Sequence, residues 1–99
     1  MMKNMIRPNL RLKEHEIADR LGITTRAVRS HVKLLIKARI CHADYSAGGE
    51  VHGLETLPIW YDIEWLIAIA YRVATPEAQR FREELLANIF TLPLVVMLK

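Results

Sequence analysis

A glycine at position 22 separates two stretches of helical periodicity, which restricts the first third of the chain to two short helices meeting at a sharp turn. In the stretch Glu16–Ile36, Ile17, Ala18 and Leu21 form one apolar face before the glycine. Gly22 accepts the left-handed backbone that ends a helix. Ile23 follows the turn, and Thr24 supplies a hydroxyl to cap the next helix. Val28, Val32 and Leu35 then recur at four and three residues, a single buried stripe. Ala18 is small where the two helices must approach.

The other face of the second helix carries a different chemistry. Thr25, Arg26, Arg29, Ser30 and Lys33 fall at i, i+1, i+4, i+5 and i+8, away from Val28 and Val32. A guanidinium fork suits a guanine edge or a phosphate, and hydroxyls suit phosphate oxygens or base edges. The pattern is that of a helix-turn-helix whose second helix enters a major groove. The plain alternative is a solvated basic face on an ordinary helical hairpin.

Charge is distributed unevenly. Residues 1–40 hold ten Lys and Arg against three acids, a net +7, whereas residues 41–99 hold four against eight, a net −4. A basic half built around one helix and an acidic half elsewhere fits docking on DNA through one face, and equally fits a partner protein with an acidic patch. The 99 residues suffice for one domain with a modest core, and 52% apolar and 25% charged residues are ordinary for a globular chain. A lone Cys41 excludes an internal disulfide. The first residues have no apolar centre and do not read as a signal peptide. The nearly uncharged runs Trp65–Tyr71 and Phe90–Leu98 fall far short of the about 20 residues a membrane helix needs. The expected location is cytoplasmic, with no membrane contact.

Along the chain, Met1–Pro8 reads as a flexible basic lead, with Arg7 and Arg11 in reach of phosphates, and Leu10–Leu12 alternates as a short strand. The helices are expected from about Lys13 to Leu21 and from about Thr25 to Lys37, with Ala38–Cys41 extended. Gly48-Gly49 between Tyr45 and Val51 signals a hairpin turn, in the position of a wing spanning about 40–61. Its expected tip, Gly48-Gly49-Glu50, has no Lys or Arg. Pro58 places Leu57–Tyr61 at a sheet edge or strand start. Asp62 is an N-cap for an apolar helix over Ile63–Val73, expected to be buried or half of an interface. Thr75-Pro76-Glu77 opens another helix, to about Ile89, with Ala78, Phe81, Leu85 and Ile89 on its apolar stripe; Thr91 and Pro93 are its expected stop. The tail Leu92–Leu98 is strongly apolar.

The run Tyr61–Arg82, YDIEWLIAIAYRVATPEAQRFR, resembles the signature of the RhuM family of bacterial and phage-associated proteins, with Ile69–Val73 matching an AVGYRV-like element and Ala78–Arg82 a small–Gln–Phe–Arg element. That family also carries an upstream helix-turn-helix, matched by Ile17–Gly22 and by Val28–Ile36. The similarity spans about residues 10–90. It implies a winged helix-turn-helix followed by a helical pair (about 63–90), and a transcription regulator of bacterial, phage or mobile-element origin. Family proteins are often several times longer, and Cys41–Pro58 does not follow the family's wing. Around the signature, Arg72 is expected to neutralise Glu64, Glu83 or a helix C-terminus, with Tyr71 and Phe81 as core aromatics.

Enzymatic chemistry finds little support. Cys41, His42 and His52 lack a fourth ligand at structural-zinc spacing, and His31 reads as a DNA contact or a core-margin residue. No glycine-rich phosphate loop or nucleophile–base set is present in the sequence, and no cofactor is implied. The expectation is therefore a mainly α fold with a small β wing, a winged helix-turn-helix binding double-stranded DNA. Thr25, Arg26, Arg29, Ser30 and Lys33 would make groove and phosphate contacts, with Lys37 and Arg39 adding backbone charge. A homodimer reading two half-sites is expected, joined through the apolar tail or the Ile63–Val73 helix. The competing class is a winged-helix protein-interaction module that uses the apolar C-terminal segments.

Overall fold

The computed structural model describes residues 10–97, and the side-chain surroundings of 10–87. The basic lead Met1–Pro8, Arg7 included, lies outside the described residues, as does the end of the apolar tail. The element order is β1 (Arg11–Leu12), α1 (Glu14–Leu21), α2 (Thr25–Lys37), β2 (Gly49–His52), β3 (Glu55–Pro58), β4 (Tyr61–Asp62), α3 (Ile63–Ala70) and α4 (Pro76–Met97). The described fold is mainly helical, with two small antiparallel strand pairs, β1 with β4 and β2 with β3.

Each helix begins where side-chain chemistry dictates. Glu16 Oε1 accepts the Lys13 N–H at 2.8 Å, Thr24 Oγ1 accepts the Ala27 N–H at 3.0 Å, and Asp62 Oδ1 accepts the Glu64 N–H at 3.0 Å. Thr75 Oγ1 accepts the Ala78 N–H at 3.1 Å, while its hydroxyl donates to the Leu21 carbonyl at the end of α1. Gly22 closes α1 with φ 65°, and the Ile23 N–H returns to the Ala18 carbonyl at 3.0 Å. The turn is what requires glycine here, since a Cβ at Gly22 would meet only the movable carboxylate end of the Glu77 side chain.

The core is one cluster fed by every helix. Ile17, Leu21, Val28, Val32, Leu66 and Ile69 are fully buried, joined by Trp65, Phe81 and Leu85. The small residues Ala18, Ala70 and Ala78 lie buried among them. Tyr61 meets Trp65 edge to face, centroids 5.3 Å apart. Leu12, expected on a short strand, pairs with Tyr61 and is buried. β1 thus ties the start of the described chain to the entry of α3.

Several sequence expectations change. Ala38–Cys41 is a turn rather than extended chain. The Arg39 N–H reaches the Ile36 carbonyl and the Ile40 N–H reaches Leu35, both at 3.0 Å, with Arg39 at φ 58°. This is a Schellman closure of α2 with arginine in the position glycine usually fills. The hairpin also turns elsewhere. Asp44 Oδ1 accepts the Ser46 N–H and Gly48 N–H closes on the Tyr45 carbonyl, so Gly48 (φ 98°) finishes a separate turn and Gly49 begins β2. His52 pairs with Glu55, so the tip is Gly53-Leu54, and Gly53 at φ 68° supplies the first central residue of a II′-type turn.

The apolar helix expected over Ile63–Val73 stops at Ala70, because Arg82 caps it: its Nη1 donates to the carbonyls of Ala70 at 2.6 Å and Val73 at 2.7 Å. Tyr71, expected in the core, is 54% exposed just past that end, whereas Phe81 is buried as expected. α4 continues beyond Thr91 and Pro93 instead of stopping there. A proline at a helical φ removes one backbone hydrogen bond, and the turns on either side carry the helix across it. The Ile89 side chain lies outside the described surroundings.

Candidate nucleic-acid interface

The second helix of the hairpin, α2, presents two kinds of polar position. Arg26, Ser30 and Lys37 are exposed on its outward side, with Lys33 completing the i, i+4, i+7, i+11 line between them. The opposite face, Val28, Val32 and Leu35, is buried, which holds the line outward. The first turn of α2 itself carries no acid, so no side chain of that turn offsets its positive dipole end.

The flank of α2 is already partnered. Arg29 forms a bidentate pair with Glu14 at the start of α1 through one edge of its guanidinium: Nε donates to Oε1 at 3.2 Å and Oε2 at 3.1 Å, and Nη2 donates to Oε1 at 3.1 Å. The Glu14 hydrogen bonds, with the nearby charges of Glu14 and Glu50, raise the Arg29 pKa above the ordinary arginine value. Lys33 Nζ lies 3.3 Å from Glu55 of β3. Thr25 is half-buried beside this flank. Arg39 is exposed in the turn beyond α2, and neither it, Arg26 nor Lys37 has an ion pair among the described residues. The structure therefore brings Arg26, Ser30, Lys33 and Lys37 onto one line. It sets Arg29 and Thr25 to one side and leaves Arg39 beyond the helix end.

The hairpin β2–β3 stands beside this surface with an opposite character. Glu50 and Glu55 lie on it, no Lys or Arg occurs between Arg39 and Arg72, and its apolar residues Val51 and Leu54 are 72% and 104% exposed. At the far side of α2, His31 is half-buried, and its Nδ1 accepts the Arg72 Nε–H at 3.3 Å. Burial first, and the Arg72 charge second, hold the His31 pKa below its usual 6.5. Arg72 thus meets an imidazole, not Glu64, Glu83 or a helix end. Arg82 takes the helix-capping role instead, because it rises from α4 directly under the end of α3.

Two further residues escaped sequence reading. Glu14 carried no signal beyond its place in a first helical turn, since its partner is fifteen residues away. Lys13 lies over the Trp60 ring at 5.1 Å. Cys41 is buried, and burial pushes its thiol pKa up to about 11, as for a cysteine packed in a core. Among the described residues no helix is long and apolar enough to cross a membrane. Comparisons with protein-family models, with curated proteins and with solved structures returned no match.

Proposed function

We propose that the chain binds double-stranded DNA as a small winged helix-turn-helix regulator, with α2 in the major groove and the β2–β3 hairpin as its wing. The observation that carries this reading is the outward line Arg26, Ser30, Lys33 and Lys37 on a helix whose other face is locked into the core. Four such positions span about three turns, the length a groove-bound helix presents to a duplex. The likeness of Tyr61–Arg82 to the RhuM signature agrees with this reading. The wing is acidic and apolar, so phosphate contacts fall to α2 and Arg39.

A homodimer reading two half-sites belongs to the same proposal. The Ile63–Val73 segment no longer serves as its surface, because Trp65, Leu66, Ile69 and Ala70 are spent on the chain's own core. The C-terminal part of α4 is the remaining seat. A second reading, a protein-interaction module, draws on one specific observation, the exposed Val51 and Leu54 at the hairpin.

Fluorescence-anisotropy titration of a mixed duplex pool at several salt concentrations tests the proposal. Each phosphate contact contributes a slope of about −0.9 in log K against log salt. Arg26→Ala is expected to flatten the wild-type slope by about one. A folded protein that binds no duplex at low salt would overturn the regulator and leave the interaction module.

A further inference from the structure

The pairing of Arg29 with Glu14 is built in a way that leaves half of the guanidinium unused. All three hydrogen bonds use the Nε–Nη2 edge of the fork, and both carboxylate oxygens are engaged. The second edge, Nη1 with the remaining Nη2 hydrogen, has no partner among the described residues. The pair is part-buried, its side chains 30% and 22% exposed. Glu14 itself sits in the first turn of α1, where the helix dipole favours its charge. Arg29 is thus pinned before any ligand arrives, with a flat pair of donors remaining.

We infer that Glu14 is a positioning residue that aims Arg29 at the O6 and N7 atoms of a guanine in the major groove. This deepens the proposed function and rests on it. Two parallel N–H donors match the two guanine acceptors and no other base edge. The carboxylate fixes the rotamer, so little side-chain entropy remains to be lost on reading the base. The carboxylate also cancels the arginine's charge. Arg29 therefore contributes discrimination between bases and little general attraction to phosphates, a task left to Arg26, Lys37 and Arg39.

That separation gives the test its readouts. Wild-type protein is used to select sites from a randomised duplex pool, and the preferred duplex is then titrated by anisotropy alongside versions with each guanine replaced by 7-deazaguanine. One guanine position is expected to lose about tenfold or more in affinity when N7 is removed. Glu14→Gln is expected to shrink that discrimination about tenfold while steepening the salt slope by about one, because the released arginine becomes an ordinary cation. Arg29→Lys keeps the charge, loses the fork, and is expected to lose the guanine preference. Thermal unfolding confirms that each variant is folded, and the 7-deazaguanine series needs no variant at all. Binding that is indifferent to every 7-deazaguanine, or unchanged discrimination in folded Glu14→Gln, overturns the inference while leaving DNA binding intact. No binding to any duplex overturns the DNA reading itself.

Discussion

Arg39 occupies a left-handed conformation that costs an L-residue about 1–2 kcal/mol relative to the right-handed region. Glycine adopts it freely, and the three surrounding backbone hydrogen bonds require only that conformation. Arg39→Gly is therefore expected to raise the stability of the protein by about 1 kcal/mol, measured by denaturant unfolding, while removing one exposed cation from the end of α2. Under the proposed DNA reading, a phosphate contact would give this strained arginine its role. The His31–Arg72 contact makes a separate prediction. The folded state holds His31 below its usual pKa, so the unfolded chain takes up the proton first as pH falls. The stabilisation is complete above about pH 6.5, erodes as pH falls from there through the lower folded value, and is gone below it. His31→Asn keeps an acceptor for Arg72 without the titration. Its melting temperature is expected to fall less than that of the wild type between pH 7.5 and 5.5. Equal falls would remove His31 from the account.

Among the elements, those with local signals were the ones readable in advance. α2 spans Thr25–Lys37 as its capping threonine and its Val28, Val32, Leu35 stripe dictate, and Asp62 and Thr75 start α3 and α4. The ends were harder, because tertiary contacts set them. α3 stops where Arg82 reaches its carbonyls, a contact across nine and twelve residues that no local pattern encodes. The hairpin tip moved for a similar reason. Gly48-Gly49 is the stronger turn signal, yet the Asp44–Gly48 turn consumes the first glycine and the isolated Gly53 makes the reversal. In the candidate interface, helical periodicity put Thr25, Arg26, Arg29, Ser30 and Lys33 on one face; the structure keeps Arg26, Ser30 and Lys33 on the outward line, adds Lys37 to it, and sets Thr25 and Arg29 on its flank. Periodicity could not reveal that Glu14 holds Arg29 or that Glu55 holds Lys33, since both partners come from other elements. The second pair is the looser one, a single contact with Glu55 about half exposed. Glu55→Gln frees Lys33 for phosphate and is expected to tighten duplex binding a few-fold at low salt, with the gain vanishing at high salt. Unchanged affinity at low salt would mean that Lys33 does not face DNA.

On the scale of the whole molecule, the basic half supplies the outward surface and the acidic half supplies much of what holds that surface in place. Trp65, Leu66 and Ile69 of α3, and Phe81 and Leu85 of α4, complete the core begun by α1 and α2. A fragment ending at residue 62 retains every cation of the interface but none of those five side chains. It is expected to show no cooperative thermal transition by circular dichroism, and a sharp transition in it would overturn this dependence. The hydroxyl of Thr75 on the Leu21 carbonyl expresses the same dependence over 54 residues of chain. Its consequence lies in the order of synthesis. At about 5–20 residues per second, a growing chain would trail its basic surface from the ribosome for roughly 3–10 s before the segment that clasps it follows. Until then the nascent protein has the charge of a nucleic-acid binder without its shape. It is then a short polycation, and under the proposed DNA reading any preference for a duplex would begin only when α4 arrives.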